Sequence, residues 1–121
     1  MLKFAFVSAA AEREYKDMPA EVQDEFGKDL RRIQFNETTK LPVEQLQGFS
    51  VSVCELKING SPAYRCVYVT KYEDALIVLH SFIKTTNGVD RPAMQVVDQR
   101  LKTLQAELKK QKQAELKKQK R

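Results

Sequence analysis

Five side chains in the middle of this 121-residue sequence are of types that can handle a charged, proton-exchanging substrate. His80 is the only histidine, and so the one side chain with an ordinary pKa near neutrality; it is the natural acid or base. Arg65 offers a planar fork that matches phosphate oxygens, while Lys57 and Lys84 offer compact point charges. Glu55 can serve as a second acid or base, or merely hold Arg65. Alternation along extended chain puts His80, Phe82 and Lys84 on one face of a strand. It does the same for Glu55 with Lys57, and for Arg65 with Val67 and Val69. If residues whose numbers sum to 120 pair across a hairpin, Glu55 lies opposite Arg65 and Cys54 opposite Cys66. Each residue also has an ordinary structural explanation. Glu55–Arg65 is then a cross-strand ion pair, His80 a hydrogen-bonded core histidine and Lys84 a guard on a strand edge. Chemistry gains weight only from their joint occurrence on one sheet face.

Three elements must position them. Residues 50–58, 63–71 and 75–84 read as strands of a meander. Turns at Asn59-Gly60-Ser61-Pro62 and Lys71-Tyr72-Glu73-Asp74 connect them. An opening strand is expected at 2–7, then a short helix capped by Ser8 and running to Lys16. Asp17-Met18-Pro19 starts a second helix, with Val22, Phe26, Leu30 and Ile33 forming its apolar stripe. Gly27 weakens that helix by about 1 kcal/mol relative to Ala, which points to close packing there. Residues 36–48 read as a loop, and Asp90 caps a last helix with Pro92 in its first turn. Helices and strands in runs, without βαβ alternation, imply an α+β domain. The expected form is an antiparallel sheet of the N-terminal strand plus the meander, packed against the helical hairpin, with a C-terminal helix. The hairpin should cover one sheet face and leave the other for function.

Composition narrows the classes. At 42% hydrophobic and 31% charged residues, the chain can bury one core. No run approaches the roughly 18 apolar residues of a membrane span. Two cysteines cannot make a disulfide framework, and one histidine excludes multi-histidine metal centres. Both thiols read as small structural hydrophobes. The start, Met1 to Ala11, loosely imitates a secretory signal, but its alternation fits a strand, so a cytoplasmic location is expected.

The net charge of +5 has a single location. Residues 1–104 carry 14 basic and 14 acidic side chains, whereas 105–121 carry seven basic and two acidic. That segment repeats QAELKKQK at 105–112 and 113–120. Two readings stand: a solvated helical extension, or an anchor for nucleic acid or ribosome. The domain is expected at 1–104, with 105–121 as a basic extension.

Three strand motifs now bear on family. Cys54-Glu55-Leu56-Lys57, then Tyr64-Arg65-Cys66-Val67-Tyr68, then Leu79-His80-Ser81-Phe82-Ile83-Lys84, followed by Pro92, resemble the phage-derived HigB-like toxins of the RelE/ParE toxin–antitoxin superfamily. The resemblance covers about residues 1–104 and is specific over 54–92. It departs at Thr85, where the family often has a second lysine, and at Ser81, where it often has glycine. The resemblance implies a metal-independent endoribonuclease that needs no cofactor and cuts mRNA, usually on the ribosome. A neighbouring antitoxin, commonly a helix-turn-helix DNA-binding protein, would neutralise it, and no membrane is involved. The catalytic set would then be Arg65, His80 and Lys84, with Lys57 and Glu55 binding substrate. Tyr68 has the opposite parity from Arg65 and reads as core. Two alternatives come with the superfamily and the phage origin: a ParE-like poison of DNA gyrase, and a host-binding adaptor without catalysis.

Overall fold

The computed structural model describes residues 1–119. Its order is β1 (Lys3–Phe6), α1 (Ala9–Lys16), α2 (Ala20–Gln34), β2 (Val43–Gln45), β3 (Cys54–Ile58), β4 (Ala63–Tyr72), β5 (Ala75–Lys84) and α3 (Arg91–Gln119). The five strands form one sheet in the order β1-β5-β4-β3-β2. This is the expected α+β architecture, with two refinements. β1 pairs with β5 in parallel, the one parallel contact of a sheet expected to be antiparallel throughout. Within the expected 36–48 loop, Val43–Gln45 adds an edge strand to β3. Its three residues are all exposed and carry no alternation, so nothing in their pattern marks a strand.

Local chemistry explains the helices. The Ser8 hydroxyl accepts the Ala11 N–H at 3.1 Å and opens α1. Pro19, at the N-cap of α2, supplies its restricted φ. Asn36 takes φ of 58° just beyond α2 and ends it, with Glu37 N–H donating back to Arg32 O. Gly27 is close-packed as its helix cost suggested: a Cβ there would sit 3.2 Å from the Tyr15 hydroxyl. Asp90 accepts the Ala93 N–H at 3.1 Å and starts α3.

Each sheet face has its own core. Val22, Phe26 and Leu30 of α2 pack on Leu56, Cys66, Tyr68, Leu76 and Val78. Val97 and Leu101 of α3 pack on Val53, Val67, Val69, Ile77 and Leu79 of the other face. The second face is therefore half covered by α3, and only its far end stays open. Tyr68 belongs to the first core, as its parity indicated. Burial pushes the Cys66 thiol up to about 12, an inert position for sulfur.

The β3–β4 register differs from the expected one. Arg65 lies opposite Lys57, Glu55 opposite Val67, Cys54 opposite Tyr68 and Cys66 opposite Leu56. The cause is the connection. Ile58 pairs with Tyr64, so five residues, 59–63, turn the chain where a tighter turn was expected. Strand parity survives a two-residue slip, but individual partners do not.

One buried charge ties the loop after α2 to the body. Asp29 is fully buried and accepts the N–H groups of Lys40 (3.0 Å) and Leu41 (2.7 Å) and Arg32 Nη1 (2.6 Å). Burial pushes its carboxyl up, but those three bonds outweigh it and hold it below the usual aspartate value. Asp29 thereby fixes the chain that leads into β2. Asp29→Ala should cost about 2–3 kcal/mol in urea unfolding, because two N–H groups and Arg32 lose their acceptor. A loss under 1 kcal/mol would show that water replaces the carboxylate.

Candidate functional site

The open end of the α3-covered face holds a cavity of about 280 Å³. Glu55 and Lys57 enter it from β3, Phe82 and Lys84 from β5, Glu44 from β2 and Asp90 from the start of α3. Three of the five candidates thus line one space. Arg65 and His80 lie against it without lining it.

Strand geometry explains this assembly. β4 and β5 pair with Arg65 opposite Phe82 and Val67 opposite His80, but the next pair is Tyr68 with Val78. Leu79 is an extra residue, a β-bulge. The bulge changes parity along β5: Ile77 and Leu79 belong to the α3 face, and so do Phe82 and the cavity-lining Lys84. His80 stacks on Phe82, with ring centroids 4.9 Å apart.

Lys57 forms an ion pair with Glu44, and that contact holds the Glu44 carboxyl below its usual range. Arg65 is 6% exposed and its guanidinium is largely spent on backbone. Nη1 donates to Tyr64 O at 2.9 Å, and Nη2 to Asn59 Oδ1 at 3.2 Å. Its Nε lies 3.6 Å from Glu55 Oε1 and has no hydrogen-bond partner. The pair expected between directly opposed residues exists here as a diagonal contact. Burial is the main influence on Glu55 and pushes its carboxyl up; Arg65, Lys57 and Lys84 pull against it, and Glu44 adds to it. Lys84 is half-buried and, among the described residues, has no carboxylate within ion-pair distance. The arrangement is a mixed acid–base cavity and not a plain cation cluster. Lys57, Lys84 and Arg65 stand against Glu44, Glu55 and Asp90.

His80 sits in a second, linked cluster that the sequence did not reveal. Its Nδ1 lies 2.8 Å from Glu14 Oε1 on α1. Arg100 of α3 binds both Glu14 oxygens at 2.8 Å and donates to Leu79 O at 2.9 Å. The bulge takes that carbonyl out of the ladder, and Arg100 satisfies it. His80 is 9% exposed, and only Nε2 is left for exchange. Glu14 and Arg100 are 66 and 20 residues from His80 along the chain, so no local motif joins them. Among the described residues, no group of three His, Cys, Asp or Glu side chains could hold a metal ion.

The fold is a three-layered α+β arrangement, a five-stranded sheet with α2 packed on one face and α3 on the other. The model of the phage-derived protein Gp49-like (DUF891) family matches residues 13–102, and the chain belongs to that family. No curated protein matches the chain. Among the described residues, no helix is long and apolar enough to cross a membrane.

The clamp on His80 has a measurable acid dependence. Burial pushes the Glu14 carboxyl up, but the bonds and charges of Arg100 and His80 outweigh it and hold it below 4.5. A carboxyl lowered in the folded state stabilises above its unfolded pKa, and that contribution is lost as pH falls through the folded value. Glu14→Gln should therefore cost about 1–2 kcal/mol at pH 7 and progressively less below pH 4.5. Urea unfolding across that range checks it; a constant difference would mean that Glu14 acts through packing alone.

Proposed function

We propose that this protein is the toxin of a toxin–antitoxin pair and a metal-independent endoribonuclease that cuts mRNA, in the setting of the ribosome. The single observation that carries the reading is the convergence of Lys57, unpaired Lys84 and the raised carboxyl of Glu55 on one cavity. Such a site offers cations for a phosphate beside a group ready to exchange a proton. Family membership supports an antitoxin partner; the helix-turn-helix character of that partner comes from the resemblance alone.

In this mechanism the ribose 2′-hydroxyl loses its proton to a site base and attacks the adjacent phosphorus. The pentacoordinate phosphorane expels the 5′-oxygen, which takes up a proton, and a 2′,3′-cyclic phosphate remains. Lys84 and Lys57 neutralise the phosphorane charge where it develops. Glu55 and His80 are the two proton-exchanging groups. His80 acts through Nε2, because Glu14 occupies Nδ1. Arg65 holds Glu55 from beneath the cavity floor, as a positioning residue whose charge also reaches the site. Backbone and Asn59 engage both of its Nη atoms, and in this reading its catalytic part is played through Glu55 and through its charge.

One observation favours a binding-only reading, the gyrase poison or adaptor. A mostly apolar groove of about 600 Å³ lies away from the cavity, between Phe4 of β1 and Phe35 after α2. Primer extension on messages after induction without antitoxin separates the two. Discrete new 5′ ends are expected; intact messages in growth-arrested cells would overturn the nuclease. Lys84→Ala should lower the cleavage rate about 10²-fold at unchanged thermal stability, because among the described residues its charge pairs with no carboxylate. His80→Gln should slow cleavage about 10²-fold without weakening RNA binding. Cleavage at full rate in both variants would exclude this cavity.

A further inference from the structure

α3 continues well past its buried seam, and there Lys109, Gln111, Lys112 and Glu115 flank an open groove shared with Lys71, Tyr72 and Glu73 at the β4–β5 turn. Its apolar seam is Met94, Val97, Leu101, Leu104 and Leu108, yet the helix runs on to Gln119, and residues 109–118 are all exposed. At 100° per residue, the charges of this projecting part separate. Lys102, Lys109, Lys110, Lys112 and Lys117 fall within an arc of about 160°, which also holds Gln105, Gln113 and Leu116. Both glutamates, Glu107 and Glu115, fall on the other side with Lys118. Lys102 is paired with Asp98, but among the described residues the other four lysines of the arc pair with no carboxylate. A solvated helix gains from i,i+4 ion pairs all round; this one separates its charges by face. The arc drifts by about 80° per eight-residue repeat, a path that a flexible strand can follow and a flat protein surface cannot. Lys120 and Arg121, which the sequence adds to the basic count, lie outside the described residues.

We infer that the basic arc of α3 from Lys109 to Lys117 is a second RNA contact, which binds the phosphates of single-stranded RNA apart from the cavity. It goes beyond the nuclease reading and rests on it only for the choice of RNA as the polyanion. It spans residues beyond the 13–102 family match, so the extension adds a function to the domain and is not part of its chemistry.

The test is binding of a single-stranded RNA oligonucleotide to the full chain as salt is varied. The comparison is a variant with Lys109, Lys110, Lys112 and Lys117 each changed to Gln. Four phosphate contacts add about 3 to the slope of log affinity against log salt. Wild-type affinity should therefore fall about 50-fold more than the variant's between 50 and 200 mM salt. Equal slopes and equal affinities would overturn the inference and leave the repeat as a passive extension or a face for an acidic protein. Circular dichroism confirms that the variant keeps its helix. Cleavage of a short oligonucleotide by the variant, confined to the cavity, stays at the wild-type rate. Loss of the slope with cleavage intact supports the arc; absence of cleavage in both proteins counts against the nuclease and leaves the arc untouched.

Discussion

Arg100 holds three elements with one guanidinium, and the open face depends on it. Its two Nη atoms grip Glu14 of α1 and the carbonyl of Leu79 in β5, while its own backbone belongs to α3. A bidentate guanidinium–carboxylate pair fixes angle as well as distance. The pair therefore sets where α3 lies on the sheet, and with it how much of the face stays uncovered. It also removes two liabilities at once: a half-buried carboxylate and a carbonyl that the bulge has displaced. His80 takes its orientation from the same carboxylate. Packing alone could dock α3 through Val97 and Leu101, but apolar contacts are not directional and would leave its rotation loose.

The bulge at Leu79 is the second constraint, and it decides whether a site exists. In an unbulged strand, Ile77 and Leu79 on the α3 face would put Phe82 and Lys84 on the α2 face. Lys84 would then point toward the helical hairpin. One extra residue reverses this, so the apolar half of β5 feeds the α3 core and its C-terminal half feeds the cavity. The cost is a broken ladder at Leu79, which Arg100 makes good.

Much of this was legible in the sequence, and what was not has a physical reason. Period-2 and period-3.6 patterns located the four longer strands and all three helices to within a few residues. Exceptions were the start of β3, which begins at Cys54 after a loop closed by Leu46 and Val53, and the short exposed β2. The grouping of His80, Phe82 and Lys84 on one face came out as alternation indicated, because the bulge lies just before them. Partner identities were less accessible. Register depends on turn length, and a five-residue connection moved Arg65 from Glu55 to Lys57. That places two cations opposite each other, which the strands tolerate because Lys57 turns to Glu44 and Arg65 to backbone. Glu14 and Arg100 stand 86 residues apart and obey no spacing rule. Asp29 did leave a signal: it falls between Phe26 and Leu30 on the apolar stripe, where a carboxylate must find buried donors.

Charge is divided between the two ends of the molecule, and the division has a consequence. Residues 1–104 balance to zero, and the cavity itself mixes cations with carboxylates. Fields from such a mixture cancel within a Debye length, about 8 Å at physiological salt. The cavity therefore exerts little pull on a polyanion at a distance. The net positive charge belongs to residues 105–121 of the sequence, and residues 109–118 of α3, which carry much of it, are exposed. Attraction and chemistry are then separable properties of one chain. A balanced cavity also acts on its own carboxyls, because one surrounded only by fixed cations would be held well below its usual range. Burial and Glu44 keep Glu55 on the high side of its usual range despite Arg65, Lys57 and Lys84.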